Sequence, residues 1–119
     1  MKRAHLEDDA CIALMRWKQL NMKRLPELDM LFHVPNGGTR AVREAARFKR
    51  MGVQPGVPDY FLDVPRGAFH GLRIEMKSPT GKVSDEQKDW LYRLNKHGYC
   101  AVVCYGWEDA AKMIESYLK

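Results

Sequence analysis

The chain has 119 residues, enough for one packed core and too few for two. An apolar fraction of 45% with 10% aromatics excludes a disordered chain, no apolar run nears the roughly 18 residues that span a bilayer, and the opening MKRAHLEDDA turns acidic where a signal peptide would turn apolar. The net charge of +5 is unevenly spread: residues 1–52 hold 11 basic and 6 acidic side chains, the rest 9 of each, so the excess in the first half suggests a polyanionic partner, nucleic acid before an anionic membrane surface.

Leu6, Ala10, Ala13, Leu14, Trp17 and Leu20 recur at helical spacing and predict a first amphipathic helix ending before Pro26. MLFHV reads as a short strand and PNGG as a turn, after which Thr39 can cap a second helix running to about Met51. A turn at Gly52–Gly56 precedes two strand candidates, VPDYFLDV and FHGLRIEMK, separated by PRG. The second alternates, with Leu72, Ile74 and Met76 on one face and Arg73, Glu75 and Lys77 on the other. The loop SPTGKV leads to Ser84, which with Gln87 forms an S-x-x-Q capping box for a helix carrying Trp90, Leu91 and Leu94 and stopping at Gly98.

YCAVVCY is a continuous apolar strand, and a last helix from about Trp107 turns Ala110, Ile114 and Tyr117 inward. Cys11, Cys100 and Cys104 are odd in number and lack C-x-x-C spacing, which predicts free thiols in a reducing compartment and no structural zinc. A hairpin in the middle of the chain with helices around it predicts an α/β sandwich: a mixed four-stranded β-sheet flanked by helices.

The stretch richest in chemistry is Pro58-Asp59 followed by Glu75-Met76-Lys77. The strand period puts Glu75 and Lys77 on one face, roughly 7 Å apart, and hairpin pairing brings Asp59 alongside. Converging carboxylates repel unless a cation neutralises them, and hard oxygen ligands suit Mg²⁺ or Mn²⁺. A lysine beside that cation can orient the attacking water or stabilise charge developing on a scissile phosphate. The plain alternative is an exposed E-x-K ion pair of no catalytic consequence.

The segment GVPDYFLDVPRGAFHGLRIEMKSPTGKVSDEQKDWLYRLNKHGYCAVVCYGWEDA, with FHVPNGGTR and the first helix upstream, resembles the VRR-NUC family, the virus-type replication-repair nucleases of the PD-(D/E)XK superfamily. GVPD, IEMK, SDEQ and the GY before the last strand carry the resemblance by their order and spacing. It implies a single nuclease domain over residues 1–119, with a restriction-endonuclease-like PD-(D/E)XK core. Asp59 and Glu75 match the metal-binding carboxylates, the Met76 backbone carbonyl a further ligand, Lys77 the catalytic lysine and Gln87 the glutamine beside the site.

Glu7 matches an acidic residue of the first helix that completes the site, although Glu7, Asp8 and Asp9 also read as favourable charges in a helix's first turn. Where many relatives are expected to carry a glutamine one turn further on, this chain has Cys11. Arg40, Arg43, Arg47 and Arg50 step by three, four and three along the second helix and form a stripe able to bind phosphates, with Lys49, Lys82 and the Asn36 turn nearby; a solvated helix face is the alternative.

The resulting expectation is a divalent-metal-dependent, structure-selective DNA endonuclease. It would act as a homodimer on branched DNA such as Holliday junctions, in the cytoplasm of a bacterial or phage-infected cell, with neither a membrane nor a nucleotide cofactor involved. Two other readings stay open from sequence: a flap or single-strand nuclease within a replication-repair complex, and a non-catalytic DNA-binding subunit.

Overall fold

The computed structural model describes residues 3–35 and 42–119. In chain order these form α1 (Arg3–Asn21), a 3-10 turn (Pro26–Met30), β1 (Leu31–His33), α2 (Val42–Arg50), β2 (Tyr60–Leu62), β3 (Leu72–Lys77), α3 (Asp85–Lys96), β4 (Cys100–Tyr105) and α4 (Trp107–Leu118). Every helix and strand expected from the sequence is present; the 3-10 turn is an addition to them. The strands from the PDY and LRI segments are shorter than their apolar patterns, because pairing stops where the chain turns away.

The four strands lie in the order β1-β2-β3-β4. The pairs β1–β2 and β2–β3 are antiparallel, with Tyr60 opposite Ile74, whereas β3 and β4 run parallel with Glu75 opposite Val103 and are joined across α3. One side of this mixed sheet carries Leu31, Tyr60, Leu62, Leu72, Ile74, Met76 and Cys104. It packs with Leu14 of α1 and Ala110, Ala111, Ile114, Tyr117 and Leu118 of α4 into one core. The other side is covered by α3, none of whose residues is fully buried.

The core-facing stripe of α1 is Ala10, Cys11, Leu14, Met15 and Trp17, one step round the helix from the expected set. Leu14 is fully buried, whereas Leu6 is 38% and Leu20 84% exposed. Apolar spacing alone cannot fix which edge of a broad stripe meets the sheet. The helix also begins earlier than the acidic run suggested: with Arg3 in its first turn, no acidic residue lies there. Favourable interaction with the helix N-terminus therefore does not account for Glu7, Asp8 and Asp9.

The capping box at α3 forms as expected, with Ser84 Oγ accepting from Gln87 N at 3.2 Å and Gln87 Oε1 accepting from Ser84 N at 2.9 Å. Just before β2, the loop seats on the start of this helix: a β-carbon at Gly56 would lie 2.6 Å from the Glu86 backbone, and its φ of +90° is left-handed, so glycine is required on both counts. Helix α2 stands at the surface, with Glu44–Arg47 and Lys49–Arg50 all exposed. The thiols of Cys11, Cys100 and Cys104 are free. Among the described residues no helix is long and apolar enough to cross a membrane.

Truncating Leu14 removes a fully buried side chain from the junction of α1 with the sheet, and Leu14→Ala should cost about 3 kcal/mol by denaturant unfolding. Leu20→Ala, on the exposed edge of the same helix, should change stability by less than about 0.5 kcal/mol.

Candidate active site

Strand β3 alternates as its sequence requires, yet it is buried on both faces: Arg73, Glu75 and Lys77 retain only 7%, 3% and 8% of their exposure. Charged side chains are rarely this buried unless paired or functional. Arg73 has structural partners for most of its guanidinium, with its Nε alone of those atoms buried and without a hydrogen-bond partner among the described residues. Its guanidinium lies 3.8 Å from the Phe61 ring centroid and 4.5 Å from that of Tyr99, and it donates to Asp63 Oδ1 at 2.8 Å. Glu75 and Lys77, further along the same face, are less completely matched.

Glu75 receives one hydrogen bond, from Gln87 Nε2 to its Oε2 at 3.0 Å, and Lys77 Nζ stands 3.9 Å from that same oxygen. Its other oxygen, Oε1, is buried with no hydrogen-bond partner among the described residues. Because Gln87 Oε1 is held by the Ser84 N–H, the amide of Gln87 is oriented with its NH₂ toward Glu75. The two roles expected of Gln87, capping the helix and serving the site, are thus carried by opposite ends of one amide.

Asp59 reaches the site through the short length of β2. That strand ends at Tyr60, opposite Ile74, so Met76 has no β2 residue beside it; its N–H donates instead to Asp59 Oδ2 at 2.7 Å. In an extended strand the N–H and C=O of one residue point to the same edge, so the Met76 carbonyl faces Asp59 as well. Burial pushes the Glu75 carboxyl well above the usual carboxylate range, and the adjacent Asp59 raises it further, against a smaller lowering by Lys77.

Glu7 lies apart from this pair. Its Oε2 comes to 3.1 Å from the position a β-carbon would take at Gly81, beside Ser78 Oγ and the Lys77 stem, so α1 delivers it to the far end of β3. Among the described residues, no three His, Cys, Asp or Glu side chains are gathered closely enough to hold a metal ion by themselves. The donors at Asp59, Glu75 and the Met76 carbonyl are nonetheless all hard oxygens, one of them orphaned. Two of the groups are carboxylates whose mutual repulsion a cation would relieve. That combination fits Mg²⁺ or Mn²⁺ with part of its shell left to water.

Cys11, in place of the expected glutamine, backs onto this region: its carbonyl accepts from Tyr60 Oη at 3.3 Å. Burial raises the thiol pKa, the neighbouring Asp59 adds to that, and the thiol stays protonated. His33 packs its ring 5.1 Å from that of Tyr60.

A family model for the VRR-NUC domain matches residues 2–108. A solved structure described as "VRR_NUC domain protein" is 39% identical to this chain, covering 95% of it and 88% of that protein, with a TM-score of 0.80. The chain belongs to the VRR-NUC family. Its fold is accordingly of the PD-(D/E)XK type, a nuclease-type fold; Glu75 and Lys77 lie on β3 and Asp59 just precedes β2. No protein of curated function matches.

Of the basic residues singled out from the sequence, Arg47 and Arg50 are exposed on α2, and Lys82 is exposed in the loop after Gly81. Asn36 and Arg40, with Thr39 and the side chain of Arg43, lie outside the described residues. Two residues that the sequence did not mark, Ser78 and Gly81, line the end of β3 beside Lys77. Their only sequence signal is that they follow the E-x-K directly in a tight loop.

A carboxyl whose pKa is raised on folding favours the folded state fully at a pH below its unfolded value, and that contribution is lost as pH rises through the raised value. In chelator, the VRR-NUC domain should therefore lose stability as pH rises from about 4.5 to about 9, partly through Glu75. Glu75→Gln should flatten this dependence and raise stability near pH 8 by roughly 1–3 kcal/mol. Thermal melts across pH check both.

Proposed function

We propose that this VRR-NUC protein is a divalent-metal-dependent, structure-selective DNA endonuclease. The observation that carries the reading is the half-satisfied Glu75: a carboxylate almost fully buried beside Asp59, with one oxygen tied to Gln87 and the other without a hydrogen-bond partner among the described residues. A purely structural site would match both oxygens or exclude the charge, since an unpaired buried carboxylate is destabilising. An ordinary surface ion pair, the bland reading of E-x-K, is inconsistent with exposures of 3% and 8%.

Asp59, Glu75 Oε1 and the Met76 carbonyl would hold Mg²⁺ or Mn²⁺, with Glu7 approaching from α1. When bound, the cation supplies Lewis acidity, drawing charge from the phosphate and favouring the deprotonated form of the attacking water. The chain's own groups do the rest. Asp59 is held in place by the Met76 N–H, and Gln87 fixes the rotamer of Glu75. Lys77 places a cation within 3.9 Å of Glu75, where it offsets the negative charge that builds on the phosphate as water adds. The water oxygen bonds to phosphorus, the bond to the departing sugar oxygen breaks, and that oxygen takes up a proton.

The basic stripe on α2 is assigned to the flanking duplex, with Arg47 and Arg50 on phosphates and Lys82 closer to the site. A single site of this kind cuts one strand. Symmetric cutting of two strands needs two protomers about a two-fold axis, which favours a homodimer acting on branched DNA such as a Holliday junction.

The test is a panel of labelled junction, flap, nicked duplex and single-stranded substrates with and without Mn²⁺. The expected result is metal-dependent cleavage strongest on the junction; equal cutting of all four would overturn structure selectivity, and strong cutting in chelator would overturn the metal requirement. Lys77→Ala should lower the cleavage rate by about 10²–10³ while DNA affinity stays within about twofold. Arg47→Glu with Arg50→Glu should weaken binding to all substrates alike and shrink the salt slope by roughly one for each phosphate no longer neutralised.

A further inference from the structure

Ser78, the residue after the E-x-K, is 1% exposed, and its hydroxyl has no hydrogen-bond partner among the described residues. With Arg73 Nε and Glu75 Oε1 it makes three such buried atoms among the described residues, and it follows Glu75 by three residues. The loop it opens closes at Gly81, whose N–H donates to the Ser78 carbonyl at 2.9 Å. Gly81 lacks the left-handed φ of Gly52, Gly56, Gly67, Gly98 and Gly106, so backbone conformation does not demand a glycine there. Space is tight instead: a β-carbon would sit 3.1 Å from Glu7 Oε2, 3.2 Å from Ser78 Oγ and 3.3 Å from Lys77 Cδ. A carboxylate from α1, an unpartnered hydroxyl and the stem of Lys77 therefore crowd one point beside Gly81.

We propose that Ser78 and Gly81 form an oxygen-binding slot that couples Glu7 to the metal centre: Gly81 gives Glu7 room beside Lys77, and the Ser78 hydroxyl donates to a water shared by the Glu7 carboxylate and the cation. Ser78 is a positioning residue, acting through Glu7 and not on the scissile phosphate. The assignment rests on the metal-dependent reading of the site. It deepens that reading by naming what places the one carboxylate that stands apart from Asp59 and Glu75.

A serine kept for packing and a serine kept for this slot respond oppositely to removal. Ser78→Ala deletes a buried hydroxyl that the chain itself does not satisfy, so in chelator the variant should melt at or above the wild-type temperature. Titrated calorimetrically with Mn²⁺ alone, it should bind about tenfold or more weakly, the usual size of an effect exerted through a ligand's supporting partner. The Mn²⁺ concentration for half-maximal cleavage should rise in step while the rate at saturating Mn²⁺ falls much less. Gly81→Ala meets the far end of a flexible Glu7 side chain, so it should fold and reproduce the weaker Mn²⁺ binding.

Unchanged Mn²⁺ affinity in both variants, or a Ser78→Ala protein that loses metal affinity only in proportion to its loss of thermal stability, overturns the slot while leaving the metal centre standing. Wild-type protein that binds no Mn²⁺ overturns both. Wild-type protein that binds Mn²⁺ but cuts no DNA overturns the nuclease reading alone, and the calorimetric comparison still decides the slot.

Discussion

The charged face of β3 is buried, and much of the surrounding structure compensates for that. An E-x-K on an exposed strand would need no support, but here three ionisable side chains occupy successive positions on one face of a central strand at under a tenth of their full exposure. Arg73 is neutralised by Asp63 and clasped between Phe61 and Tyr99. That clamp closes the near end of the face and leaves the unmatched charge to Glu75 and Lys77 at the far end. Arg73, held by Asp63 and two aromatic rings with only its Nε unmatched among the described residues, and Glu75, held by Gln87 alone, thus differ in support along a single strand.

Three local devices keep that far end open and ordered. The early end of β2 turns the N–H of Met76 from a ladder donor into an anchor for Asp59. The capping box at α3 fixes the Gln87 amide so that one end closes the helix and the other holds Glu75. The packing of the Gly56 loop on Glu86 ties the segment leading into Asp59 to the helix that carries Gln87. Each links two groups of the site through the backbone, so their separation depends on secondary structure and not on flexible side chains.

The opposite face bears the stability. A row of apolar and aromatic side chains on β2 and β3 packs under α1 and α4, which offsets the cost of burying charge on the other face. Helix α2, by contrast, contributes little to either layer: its Arg47 and Arg50 are exposed.

Much of this was legible in the sequence for specific reasons. Strict alternation in LRIEMK determined which residues of β3 share a face, and the S-x-x-Q spacing determined the helix start at Ser84, since both depend on periods of a few residues. The same local order, with GVPD ahead of it, was enough to indicate the family. What the sequence could not determine was burial. Whether Glu75 and Lys77 face water or the interior, which edge of α1 meets the sheet, and how closely Glu7 approaches Gly81 all depend on elements distant along the chain: α3, α4 and Glu7. Periodicity reports direction within one element, whereas exposure and close approach are properties of how elements pack, and only the tertiary structure decided those.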